Sequence, residues 1–93
     1  MLITKENIDE FIKGTTMDCS HKGISHIEYI PESITRLHCG YNQLTELPKL
    51  PESLTSLYCD NNNLPYEITI ENLKEHNKLL KRKEILEKIR FIH

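Results

Sequence analysis

A step of twenty residues is the feature that most constrains how this chain can fold. The segment 34–53 starts again at residue 54, and the tripeptide Pro-Glu-Ser at 31–33 recurs unchanged at 51–53. Identical pairs at this step include Leu37 and Leu57, Cys39 and Cys59, Asn42 and Asn62, and Leu44 and Leu64. Similarity at a fixed period predicts supersecondary units that stack and bury a shared core.

A degenerate unit precedes the clear ones. The same step places apolar residues under the apolar positions of the second unit: Met17, Cys19, Ile24, Ile27 and Ile30. The exception is Lys22, which falls under Asn42. Because Lys22 replaces the Asn that recurs at positions 42 and 62, we predict a looser or water-filled turn around Lys22.

The second unit ends in Leu47-Pro48-Lys49-Leu50-Pro51. Each Pro lacks an N–H and restricts the residue before it, so this side of the unit is predicted to be extended rather than helical. The whole pattern resembles the leucine-rich repeat family in its short, bacterial effector-type variant. That resemblance implies an α/β fold: a right-handed solenoid of about three repeats, with parallel strands on a concave face and extended convex turns.

The chain is short enough for a single domain, 1–93. We predict an N-terminal capping helix within 1–14, repeats over 15–68 and one or two C-terminal helices over 69–93. Thr4 is a suitable N-cap, Ile8, Phe11 and Ile12 share a helical face, and Gly14 suits a helix end. A helix near 5–13 is therefore expected to cover the first edge of the repeats.

The C-terminal segment has two apolar sets separated by the polar run Lys81–Glu84. Leu73 and Leu80 lie on one helical face and are predicted to cap the last repeat. The second set faces another way and needs a different surface, on this chain or on a second copy: Ile85, Leu86, Ile89 and Ile92. Whether the helix bends between the two sets stays open at this point.

Charge is unevenly distributed along the chain. Residues 1–73 hold 5 Lys/Arg against 11 Asp/Glu, whereas residues 74–93 hold 7 Lys/Arg against 3 Asp/Glu. An acidic body with a basic helix favours an acidic partner or contacts between copies. The sequence has no apolar run of about 20 residues and no signal-peptide pattern, so we expect a cytoplasmic protein without a membrane partner.

Cys19, Cys39 and Cys59 lie twenty residues apart and are predicted to form one column on neighbouring strands. A thiol column invites a metal or redox interpretation. We favour burial in the core, because Cys is among the most readily buried residues and parallel in-register side chains have poor geometry for a disulfide. No metal and no cofactor are expected.

The residues between the buried positions are predicted to form the concave, partner-binding face. This set comprises Asp18, His21, Arg36, His38, Tyr41, Ser56, Tyr58, Asp60 and Asn61. Tyr and Arg are enriched among the residues that carry the energy of protein interfaces. We therefore predict a non-enzymatic protein-binding scaffold, with another protein as partner and self-association through the C-terminal helix as a further possibility.

Two other functions are compatible with the same sequence. Asp18, His38 and Tyr58 could form an acid–base or metal-dependent hydrolytic site, but a shallow patch offers no enclosed pocket to exclude water. The chain could also be a structural relic of a longer array, without a partner. A nucleic-acid partner is not expected, since Glu84 and Glu87 interrupt the basic run and no aromatic residues interleave with it.

Overall fold

The computed structural model describes residues 1–90, and side-chain surroundings as far as Leu86. It contains six short strands, one 3₁₀ helix and one α-helix. In chain order these are β1 (Leu2–Ile3), the 3₁₀ helix (Ile8–Phe11), β2 (Ile12–Lys13), β3 (Thr16–Asp18), β4 (His26–Ile27), β5 (Arg36–His38), β6 (Ser56–Tyr58) and α1 (Leu73–Arg90).

The main sheet has four strands in the order β2-β3-β5-β6. β3, β5 and β6 are parallel, and their register matches the twenty-residue step: Met17 pairs with Leu37, and Leu37 pairs with Leu57. The periodicity in the sequence is therefore a real structural register. It aligns equivalent side chains of successive units in columns.

The core lies against one face of this sheet. Alternation along β3 and β5 buries the central residue, Leu57 of β6 is half-buried, and the turns contribute further apolar side chains. Fully buried members include Ile3, Ile8, Met17, Cys19, Ile24, Ile27, Ile34, Leu37, Cys39, Leu44, Leu47 and Leu50. The segment 47–51 is not helical, as its proline content predicted. It supplies three of the buried positions, Leu47, Leu50 and Pro51.

The predicted leucine-rich-repeat solenoid is wrong as a description of this fold. The strands are divided between two sheets, and the larger sheet mixes parallel with antiparallel pairing. The architecture is a small mixed-sheet body with one C-terminal α-helix. Among the described strands, β3, β5 and β6 are the ones that stack in parallel at the twenty-residue step.

The predicted N-terminal capping helix near 5–13 is also wrong. Only Ile8–Phe11 form a helical turn, and it is a 3₁₀ helix. The chain then extends as β2 and returns antiparallel to β3, with Ile12 opposite Met17. Gly14 adopts φ 64°, which a tight reversal requires and glycine tolerates. A hairpin strand therefore covers the first edge, because it satisfies the backbone groups of β3 that a helix would leave unpaired.

A two-stranded parallel sheet joins β1 to β4, with Ile3 opposite Ile27. Asn7 fixes the turn after β1: its Oδ1 accepts from the Thr4 N–H at 2.8 Å and its Nδ2 donates to the Leu2 carbonyl at 2.9 Å. The N-terminal segment is therefore anchored beside the first unit.

α1 begins at Leu73 and continues without a break through Lys81–Glu84. Thr69 and Asn72 exchange hydrogen bonds before it, the Thr69 N–H donating to Asn72 Oδ1 at 2.8 Å and the Asn72 N–H donating to Thr69 Oγ1 at 3.3 Å. This reciprocal pairing resembles a capping box and sets the start of the helix. Among residues 1–90, no helix combines the length and apolarity needed to cross a membrane.

Candidate protein-binding face

The side of the main sheet opposite the core forms a surface that we call the outer face. It consists of the flanking residues of β3, β5 and β6 and the turn residues that follow each strand. Asp18, Arg36 and Tyr58 are exposed, whereas Ser56 and His38 are half-buried. Strand alternation explains this arrangement, because the neighbours of each buried central residue point to the opposite side.

Register brings Asp18, His38 and Tyr58 side by side across the three strands. The His38 and Tyr58 rings meet edge to face, with centroids 5.0 Å apart and an interplanar angle of 82°. This geometry is favourable for aromatic pairs. It orients Tyr58 while leaving 59% of the residue exposed.

A second column follows the strands at His21, Tyr41 and Asn61. All three adopt the left-handed conformation, with φ of 56°, 56° and 59°. The His21 N–H donates to the Gly40 carbonyl and the Tyr41 N–H to the Asp60 carbonyl, so the parallel ladder continues through these turns. Left-handed φ costs about 1–2 kcal/mol for a non-glycine residue, and these bonds offset it.

The His21 and Tyr41 rings stack with centroids 4.3 Å apart and an interplanar angle of 11°. Tyr41 remains 57% exposed. The two ring pairs and the Arg36 side chain therefore belong to one open surface. The predicted partner-binding residues lie on it, and the sheet aligns them in the expected columns.

Asp18 is the acidic residue whose electrostatics the fold changes most clearly on this face. The Ser20 N–H donates to Asp18 Oδ1 at 3.1 Å, and this bond lowers the pKa of the Asp18 carboxyl. The neighbouring His38 lowers it further in the same direction. Asp18 therefore presents a carboxylate, an acceptor for basic groups, rather than a neutral acid.

Asn42 and Asn62 hold the turns beneath this face, each bonding its own unit and the preceding one. Asn42 Nδ2 donates to the Cys39 carbonyl at 3.0 Å and to the Cys19 carbonyl at 2.8 Å. Asn42 Oδ1 accepts from the N–H groups of Lys22 and Ile24. The predicted loose turn at Lys22 is therefore wrong, because the next unit supplies the asparagine that fixes it.

The three cysteines form the predicted buried column and are free thiols. Desolvation raises the pKa of Cys19 to about 12 and also raises the pKa of Cys39. Cys59 also has a raised pKa, chiefly from burial, and its Sγ donates to the Ile68 carbonyl at 3.2 Å. These thiols are poor nucleophiles at neutral pH. No group of three metal-ligating side chains comes together within residues 1–90.

His76 and Asn77 are the contacts that the sequence analysis missed. Asn77 pairs with the backbone of Leu50, accepting from its N–H and donating to its carbonyl, each at 2.8 Å. Buried His76 lies between the Tyr66 hydroxyl, 2.7 Å from Nδ1, and the Pro48 carbonyl, 3.0 Å from Nε2. Their position between Leu73 and Leu80 on the docking face was the available signal.

The predicted oligomer contacts lie partly within the described residues. Ile85 and Leu86 are 48% and 60% exposed on the part of α1 beyond its docking contacts. The side chains of Ile89 and Ile92 lie outside the described residues. Leu73 is buried and Leu80 half-buried. That this half of the helix caps the last repeat stays a prediction.

Comparison with known proteins adds no relative. No family model, no curated protein and no solved structure matches this chain.

Proposed function

We propose that this protein is a non-enzymatic scaffold that binds another protein through the outer face. The observation that carries this proposal is the joint exposure of Tyr41, Tyr58 and Arg36 on a hydrogen-bonded sheet. Aromatic and Arg side chains held at low conformational cost are typical energetic centres of protein interfaces.

The charges on the outer face indicate which kind of partner protein it would bind. Asp18 and Asp60 provide carboxylates, and the exposed ring faces of the two Tyr residues can accept cations. Arg36 provides one basic group among them. A partner with mixed charge and at least one Lys or Arg side chain fits this surface best.

The experiment compares affinity capture by the wild type with capture by an Arg36→Ala/Tyr58→Ala double variant. A matched control, Glu32→Ala/Lys49→Ala, changes two exposed residues on the opposite side of the molecule. We expect a partner retained by the wild type and the control but lost by the double variant. Equal retention by all three proteins would contradict binding at the outer face.

The enzymatic alternative, with Asp18, His38 and Tyr58 as its centre, is tested by His38→Ala. A scaffold loses affinity for its captured partner in proportion to the contact removed, and the partner leaves unmodified. An enzyme would instead lose turnover of that partner. Mass spectrometry of the partner before and after incubation distinguishes these outcomes.

We infer a cytoplasmic location for this activity. Three free, buried thiols are compatible with a reducing compartment. We also infer that the exposed residues Ile85 and Leu86 of α1 support self-association. Exposed apolar side chains on a helix without a covering surface favour such contacts.

A further inference from the structure

The outer edge of β6, the side away from β5, carries backbone N–H groups. In the preceding units, the equivalent N–H groups donate to carbonyls of the next unit. The Cys19 N–H donates to the His38 carbonyl, and the Cys39 N–H donates to the Tyr58 carbonyl, each at 2.8 Å. The next group in this series is the Cys59 N–H, for which residues 1–90 supply no hydrogen-bond partner. Edge strands with unpaired groups are templates for an added strand.

The turn after β6 continues the same series. The N–H groups of His21 and Tyr41 donate to the carbonyls of Gly40 and Asp60. The equivalent Asn61 N–H likewise has no partner among the described residues. The Cys59 and Asn61 N–H groups are therefore two donors, spaced as in the inner strands, that point outward from the β6 edge.

Asn42 and Asn62 lie at equivalent positions of successive units, and we call their hydrogen bonds the asparagine ladder. This ladder also ends at the outer edge of β6. Asn62 Nδ2 donates to the Cys39 carbonyl at 3.0 Å, while its Oδ1 accepts from the Leu44 N–H at 2.9 Å. One step on, the corresponding groups are the Cys59 carbonyl and the Leu64 N–H. The twenty-residue step would place the next Asn of the ladder at position 82, but that residue is an Arg within α1.

A cavity of about 230 Å³ lies at this position. We call it the asparagine socket; its lining includes Cys59, Asn62, Leu64 and Ile68. Asp60 and Glu67 also line it, and neither is within 4.0 Å of a basic group in the described residues. This acidic rim favours a basic residue in whatever segment lies there.

We propose that the outer edge of β6 binds an extended protein segment that pairs in parallel with β6, inserts an Asn side chain into the asparagine socket and carries a Lys or Arg. The segment continues the ladder formed by β3, β5 and β6. Its backbone carbonyls accept from the Cys59 and Asn61 N–H groups. Its Asn donates to the Cys59 carbonyl and accepts from the Leu64 N–H. This is strand addition, a recurring mode of peptide recognition, at the β6 edge; the site borders the outer face and shares Asp60 and Asn61 with it.

The probe is a synthetic peptide with the sequence of residues 35–45, which contains Arg36, Cys39 and Asn42. It is titrated under reducing conditions into the full-length, isotope-labelled chain and followed by NMR. We expect saturable shifts of the Cys59, Asn61 and Leu64 amides. A peptide with Asn42→Asp, which lacks the amide donor, should bind about tenfold or more weakly, as expected when a hydrogen-bond pair is lost.

Variants of the protein test the acidic rim. Glu67→Lys should weaken binding of the peptide severalfold, whereas Glu32→Lys, an equal charge change at a distant exposed site, should not. Arg36→Ala in the protein should leave peptide binding unchanged, which separates this site from the outer face. The proposal is overturned by absence of binding, by equal affinity of the Asn42→Asp peptide, or by shifts located away from the β6 edge.

Discussion

At the scale of single residues, the asparagine ladder stands out because each of its side chains forms several hydrogen bonds to main-chain groups. Asn42 forms five hydrogen bonds to main-chain groups, spanning its own unit and the unit before it. Asn62 forms four. Because a buried backbone group left without a partner is costly, these two residues connect the units more effectively than their size suggests.

We expect Asn42→Ala to lower the free energy of unfolding by about 2–4 kcal/mol, since several partly buried backbone groups lose their partner together. Asn62→Ala should cost less, because it removes one bond fewer. Chemical denaturation measures both. Asn63→Ala is the matched control on an exposed neighbour and should change stability by less than about 0.5 kcal/mol. Equal effects at positions 42 and 63 would contradict the ladder.

The thiol column gives a second prediction at this scale. With a pKa of about 12, the thiolate fraction of Cys19 at pH 8 is about a thousandfold below that of an ordinary thiol near 9. Alkylation of native Cys19 should be slower than in the unfolded chain by at least that factor and should accelerate as pH rises. Peptide mass spectrometry measures each site. Cys59, the most exposed of the three, should react first; rapid labelling of Cys39 would contradict burial.

At the scale of elements, the docking of α1 depends on hydrogen bonds as well as on apolar contact. Asn77 pairs with the Leu50 backbone as a neighbouring strand would: its Oδ1 accepts from the Leu50 N–H, and its Nδ2 donates to the Leu50 carbonyl. His76 occupies the adjacent position. The Pro48 carbonyl can only accept, so Nε2 carries a hydrogen, while Nδ1 pairs with the Tyr66 hydroxyl. Proline-rich segment 47–51 is therefore the surface on which the helix is oriented.

Asn77→Asp tests this docking with almost no change in shape. The new carboxylate still accepts from the Leu50 N–H, but its second oxygen faces the Leu50 carbonyl without a donor between them. We expect a loss of about 1–3 kcal/mol in unfolding free energy and reduced helicity by circular dichroism. Asn63→Asp introduces the same charge at an exposed site. If both variants unfold alike, Asn77 does not orient the helix.

At the scale of the whole molecule, an acidic body carries a basic helix, and the molecule measures 44 × 27 × 24 Å. The hydrogen bonds that dock α1 on the body come from His76 and Asn77. The exposed apolar residues Ile85 and Leu86 follow on the same helix. Exposed apolar side chains of this kind are buried most readily by contact with a second copy.

We therefore expect the wild type to self-associate and an Ile85→Lys/Leu86→Lys double variant to have a lower mass in sedimentation. Because both side chains are exposed, the variant should keep the thermal stability of the monomer body. Leu2→Lys, which changes an exposed apolar residue outside α1, serves as the control. A wild type that is monomeric at all concentrations, or a double variant of unchanged mass, would refute the helix contact.

The sequence by itself determined the twenty-residue register, the thiol column, the extended segment 47–51 and the columns of the outer face. These features follow from translation along the chain, so a periodic pattern is enough to specify them. Several others were decided only by tertiary structure: the β2 hairpin, the second sheet, the unit that each Asn serves and the docking of His76 and Asn77. Each of these depends on which backbone groups remain unsatisfied at an edge or a turn, and that is settled only when distant segments compete for the same donors and acceptors.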